Sequence, residues 1–111
     1  MKIVIKATQL DLTPPLKIYI ERRLAPLERL VRSFEKAGEL MLNVEVARAT
    51  RHHKKGDVFY VELTMRVPQK TMRLEQNSPD VRIAIDKAKD RLKSELQRFK
   101  GKMQRKRMRG R

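Results

Sequence analysis

From Lys2 to Thr8 polar and apolar residues alternate, with Ile3, Ile5 and Ala7 on one side, the two-residue period of a strand. Thr13-Pro14-Pro15 then opens a helix, because Thr13 can cap it and Pro14 has no N–H to leave unpaired in the first turn. Leu16, Ile20, Leu24, Leu27, Val31 and Phe34 recur at steps of three or four and make one helical face. Pro26 falls inside that run and predicts a kink or break, and Gly38 predicts the stop. Alternation returns at Leu40, Leu42, Val44 and Val46, again from Phe59 to Val67, and again at Met72 and Leu74 after a Pro68-Gln69 turn. Ser78-Pro79-Asp80 starts a last helix, with Ser78 as cap and a carboxylate on the helix dipole. Its stripe is Val81, Ile85, Ala88, Leu92, Leu96 and Phe99, and it is expected to end near Phe99. The order β-α-β-β-β-α predicts an α+β two-layer sandwich: a four-stranded sheet whose last three strands form an antiparallel meander, two helices on one face, and water on the other.

Composition adds a partner to this fold. The chain has 111 residues, 40% of them hydrophobic, enough for the core of one domain. Lys and Arg number 28 against 13 Asp and Glu, a net charge of +15 that points to a polyanion, with nucleic acid foremost. The charge is concentrated at the end, where Arg98, Lys100, Lys102, Arg105, Lys106, Arg107, Arg109 and Arg111 are accompanied by no acid. With Gly101 and Gly110 among them, residues 101–111 read as a disordered basic tail on a domain spanning 1–100. Cysteine is absent, which excludes disulfides and thiolate chemistry. No apolar run approaches the length of a membrane span, and no signal-peptide core opens the chain, so a cytoplasmic protein without membrane contact is expected.

At 100° per residue the last helix sorts its cations onto two flanks of the apolar stripe. Arg82, Lys89, Lys93 and Lys100 fall on one, Lys87, Arg91, Arg98 and Lys102 on the other, with Asp86 and Asp90 directed away from the core between them. In the first helix Arg22, Arg29 and Lys36 line up beside an acidic stripe of Glu21, Glu28 and Glu35, where pairs such as Glu28–Arg32 can form. The last helix has too many cations to pair internally, so it is the candidate for phosphate contact. Aromatic platforms are few, which favours a reader of folded RNA over one of single strands. Lys55-Gly56-Asp57-Val58-Phe59-Tyr60-Val61 only brushes against an RNA-recognition-motif fingerprint, and no G-x-x-G loop suits a KH domain. The two histidines, His52 and His53, sit together in a basic loop without an acidic or sulfur partner, a poor metal site. Without a phosphate-binding glycine loop or a nucleophile elbow the chain reads as no enzyme, with no cofactor, no metal and no small-molecule substrate.

The chain resembles the ribosome hibernation promoting factors, also called ribosome-associated inhibitor A or sigma-54 modulation proteins, in their short form. The resemblance runs from Met1 to about Lys102 and rests on several motifs in order. These are Leu12-Thr13-Pro14 after the first strand, Arg22-Arg23-Leu24 with Leu27-Glu28, the His53-Lys54-Lys55-Gly56 loop, and Asp80-Val81-Arg82-Ile83-Ala84-Ile85-Asp86 followed by Leu92, Leu96 and alternating Arg98, Lys100 and Lys102. It implies a fold akin to double-stranded-RNA-binding domains, and a monomer docked on the small ribosomal subunit in the channel of messenger RNA and of A- and P-site transfer RNA, silencing translation. The positions matching the family's rRNA-facing residues are Arg22, Arg23, Arg91, Arg98, Lys100 and Lys102; Arg82, Lys87 and Lys89 join them on charge geometry alone.

Arg82 stands where the family usually has tyrosine, and Pro26 where a helix former is common. The length leaves no room for the long form's dimerisation domain, so pairing of ribosomes through it is not expected. The alternative is a basic protein that coats RNA or DNA without a defined ribosomal site. A transcription modulator, as the older family name suggests, would need a polymerase partner that no motif indicates.

Overall fold

The computed structural model describes residues 1–50 and 56–109, so His52, His53, Lys54 and Lys55 lie outside the described residues. Strand β1 (Lys2–Thr8) leads to helix α1 (Pro14–Leu24), a 3₁₀ turn (Ala25–Leu27), the single-turn helix α2 (Glu28–Val31) and a second 3₁₀ segment (Arg32–Ala37). Strands β2 (Met41–Thr50), β3 (Asp57–Val67) and β4 (Lys70–Ser78) follow, and helix α3 (Val81–Arg109) closes the chain. The sheet order is β1-β2-β3-β4; β2, β3 and β4 form the expected antiparallel meander, and β1 adds to β2 in parallel.

Register explains the two faces. Ile3, Leu42, Met65 and Met72 stand level across the four strands, and Ile5, Val44, Leu63 and Leu74 make the next level. Against these lie Leu16, Ile20, Leu24, Leu27 and Val31 from the first helical stretch and Ala84, Ile85, Ala88, Leu92 and Leu96 from α3, all buried. Each fully buried Leu or Ile here contributes about 1.5–3 kcal/mol. The alternate residues, among them Asn43, Glu45, Glu62, Thr64, Arg73 and Glu75, occupy the uncovered face.

Local signals act where the sequence puts them, with three differences. Thr13 caps α1 by accepting the Leu16 N–H at 3.4 Å, and Pro14 takes the first helical position. At Pro26 the expected interruption becomes a 3₁₀ turn between α1 and α2, yet Leu24, Leu27 and Val31 stay buried across it. The first difference is that Asp80, not Ser78, caps α3: its Oδ1 accepts the Arg82 N–H at 2.8 Å and the Ile83 N–H at 3.3 Å. Ser78 Oγ accepts the Asp80 N–H instead and orients the capping residue.

The second is that α3 runs ten residues beyond Phe99, so the 100/101 division falls inside a continuous helix, and 102–109 are helical rather than an unstructured arm. An interior glycine costs only about 1 kcal/mol against alanine, and the Lys, Gln, Arg and Met residues around Gly101 are good helix formers. The edge contact of Phe99 on Phe34, with ring centroids 5.5 Å apart, holds the turn before it.

The third concerns the acidic stripe of the first helix, which is broken up by the 3₁₀ turns. Glu28 pairs not with Arg32 but with the Met1 ammonium at 3.3 Å. Glu35 reaches the same ammonium at 3.0 Å and accepts the Leu40 N–H at 3.0 Å. That amide first, and then the ammonium, holds the Glu35 carboxyl below the usual carboxylate range.

Candidate nucleic-acid interface

The two flanks predicted for α3 face different neighbours. The Arg82 flank lies against the first helical layer. There the Tyr19 hydroxyl of α1 donates to both carboxylate oxygens of Asp86, at 2.8 and 2.9 Å, and Arg23 Nε pairs with Asp86 Oδ1 at 3.2 Å. The Arg23 and Arg82 guanidinium carbons stand 5.2 and 4.9 Å from the Tyr19 ring centroid. Such contacts are each worth about 0.5–1 kcal/mol at exposed sites. Asp86 therefore does not point away from the core region as its helical angle suggests; it bolts α1 to α3. The Tyr19 hydroxyl chiefly, and then the Asp86 charge, raise the Arg23 pKa above its ordinary value.

Arg22 joins Arg23 and Arg82 around an open groove floored by Pro15, Ile18 and Tyr19. Three guanidiniums on an apolar and aromatic floor suit a phosphate with an adjoining base or ribose. Tyr19, one of two tyrosines, was visible in the sequence only as a scarce aromatic; its spacing of four from Arg23 on one helix was the available signal.

The opposite flank follows the edge strand β4. Arg91 is engaged with it, one guanidinium nitrogen donating to the Glu75 carbonyl at 2.7 Å and to Gln76 Oε1 at 3.1 Å. Two and three turns further on, Arg98 and Lys102 border a hollow with Lys70 and Glu95, and neither Arg98 nor Lys102 has an ion pair or hydrogen bond among the described residues. Lys87 is exposed beside Arg91, while Lys89 and Lys100 are half-buried on the other flank. The nine sequence-derived residues thus divide into a cluster at the α1–α3 junction (Arg22, Arg23, Arg82), a line along β4 (Lys87, Arg91, Arg98, Lys102), and Lys89 and Lys100 on the helical side. Lys70, the first residue of β4, was missed, because a lysine at a strand end carries no periodic signal.

What this arrangement can do is bind an extended polyanion. Multiple separated cations give salt-dependent affinity without reading base edges. Among the described residues no group of three or more His, Cys, Asp or Glu could hold a metal ion, and no helix is long and apolar enough to cross a membrane.

Residues 3–104 match the family described as sigma 54 modulation protein / S30EA ribosomal protein. The chain belongs to that family. A ribosome hibernation promotion factor of Deinococcus radiodurans is 30% identical over 101 residues, which are 91% of this chain and 50% of that one. The chain thus spans about half the length of this curated relative. Among solved structures, the N-terminal domain of Thermus thermophilus Protein Y is 30% identical, with a TM-score of 0.70 over 89% of this chain and 99% of that domain. A ribosomal subunit interface protein from Coxiella burnetii has the same fold, with a TM-score of 0.65 at 18% identity, over 91% of this chain and 99% of the other.

Proposed function

We propose that this chain associates with the ribosome and inhibits translation by docking on the small subunit, in the channel of messenger RNA and of A- and P-site transfer RNA. The observation that carries the reading is the pair of cation lines on the flanks of α3, in a chain 30% identical over 101 residues to a hibernation promotion factor and sharing its fold with a subunit interface protein. The cations grip rRNA phosphates, and the folded body excludes messenger and transfer RNA by occupying their space. No base-specific contact is required, because a folded rRNA surface supplies its phosphates in a fixed arrangement.

Co-sedimentation with purified small subunits over a salt series, with and without mRNA and initiator tRNA, tests the proposal. One saturable copy per subunit, retained at moderate salt and displaced by tRNA, is the expected result. Many copies that leave together as salt rises, with no response to tRNA, would sink it in favour of a protein that coats RNA without a defined site.

A further inference from the structure

The far end of α3 adds a third concave place, which of the sequence-derived residues includes Lys100 alone. Past Phe99 the helix runs beside the second 3₁₀ segment, and the two enclose a cleft of about 160 Å³, several times the roughly 30 Å³ that one water takes in the liquid. Its apolar floor is Phe34, held by the Phe99 ring, and Met103, one turn beyond Phe99 and half-buried. Its walls carry Lys36 from the 3₁₀ segment and Lys100 and Arg107 from α3, with Ser33 and Gln104 as further donors.

No carboxylate lines this cleft. Glu35, the nearest acid in sequence to Lys36, is committed to the Leu40 N–H and the Met1 ammonium. None of Lys36, Lys100 and Arg107 has an ion pair among the described residues. Three cations around one cleft repel one another until an anion enters. Arg107 also lies beyond residue 104, where the family match ends.

We propose that this cleft seats a backbone phosphate of RNA. The inference rests on the reading that RNA lies along α3. It adds that the strand is held at two points: the Arg22–Arg23–Arg82 groove at one end of the helix, and this cleft, whose α3 residues lie about 27–38 Å further along its axis at 1.5 Å per residue. Lys89, Lys93 and Lys100 mark the flank between them, so a strand following those cations arrives at the cleft.

The test uses the full chain with Lys36→Gln and Arg107→Gln combined, and Arg107→Gln alone as a second variant in the last turns of the helix. Lys2→Gln with Arg66→Gln removes the same charge from the uncovered sheet face as a control. Binding to a short RNA duplex and to small subunits is measured over a salt series, with folding checked by circular dichroism. The cleft variant is expected to bind both about tenfold more weakly, with the slope of log K against log salt shallower by one to two units, and the single variant by about half of that. The control is expected to change little. Equal losses in cleft variant and control would reduce the effect to net charge and overturn the proposal. So would inorganic phosphate that binds the wild type and not the cleft variant while leaving the wild type's affinity for RNA unchanged at constant ionic strength, which would make the cleft a site for the free anion. A wild-type chain that binds the duplex but never saturates on subunits would defeat the ribosomal reading instead, leaving the cleft to be decided on the duplex.

Discussion

Arg91 and Arg98 look equivalent in the sequence, since both lie off the apolar stripe on the same flank. The structure separates them. Arg91 donates twice to β4, the edge strand of the sheet, whereas among the described residues Arg98 has no such partner. A hydrogen bond from a charged group is worth about 1.5–3 kcal/mol when sheltered and less at an exposed site, so Arg91→Ala is expected to cost about 1 kcal/mol. That corresponds to a fall in Tm of a few degrees. Arg98→Ala is expected to leave Tm unchanged and to weaken RNA binding several-fold, with a shallower salt slope. Thermal melts and titrations of the two single variants check this, and equal Tm for both would show that the β4 contact adds nothing. Charge geometry puts both arginines on one flank, but it could not see that one of them was occupied, because the Glu75 carbonyl belongs to a strand sixteen residues away. The same limit hid the role of Asp86. Its helical angle was legible, but Tyr19 reaches it from α1, 67 residues away in the chain.

Among the elements, strands and helix starts were the most legible, since alternation and capping are local properties: Ile3, Ile5, Leu42, Val44, Val46, Val61, Leu63 and Met65 all face inward as their period requires. The end of α3 was not, because a run of like charges with a glycine reads as disorder when nothing apolar is seen to hold it. What holds it is Phe34 on a 3₁₀ segment that the sequence joined to one long helix. This makes Gly101 a sensitive probe. A Cβ at that position would meet nothing within 4 Å, so Gly101→Ala adds helix propensity of about 0.5–1 kcal/mol without a clash. Slower amide exchange from Arg98 to Arg107 and a more negative signal at 222 nm are expected, with tighter RNA binding because less ordering is left to do on contact. An unchanged exchange pattern would mean that these residues are not helical in the free protein.

For the whole molecule, the notable feature is where the carboxylates are. In a chain of net charge +15, Glu45, Glu62 and Glu75 stand directly opposite one another on β2, β3 and β4, on the sheet face that the helices leave uncovered. Lys6 and Arg73 approach Glu45 and Glu62 only at 3.7 and 3.9 Å. Like charges directly opposite on neighbouring strands destabilise a sheet, so this row works against the local fold. Its effect on the whole is to offset most of the charge of Lys2, Lys6, Arg66 and Arg73 on the same sheet face, which leaves the surplus positive charge, and the stronger pull on phosphate, on the helical layer. A body strongly positive on every side would gather RNA all around; one whose sheet face is close to neutral takes it up on the helices by preference, which suits occupation of a single site. Replacing all three by glutamine raises the net charge by three and is expected to leave Tm unchanged or higher. If the row sets the orientation, the variant also binds more than one equivalent of RNA duplex per chain at low salt, where the wild type binds one, and loses the extra equivalent first as salt rises. Sedimentation at saturating RNA reads this directly. A variant that binds more tightly while keeping the wild-type stoichiometry would show that the face is set by the shape of the helical layer alone, and that the glutamates do not direct the approach of RNA.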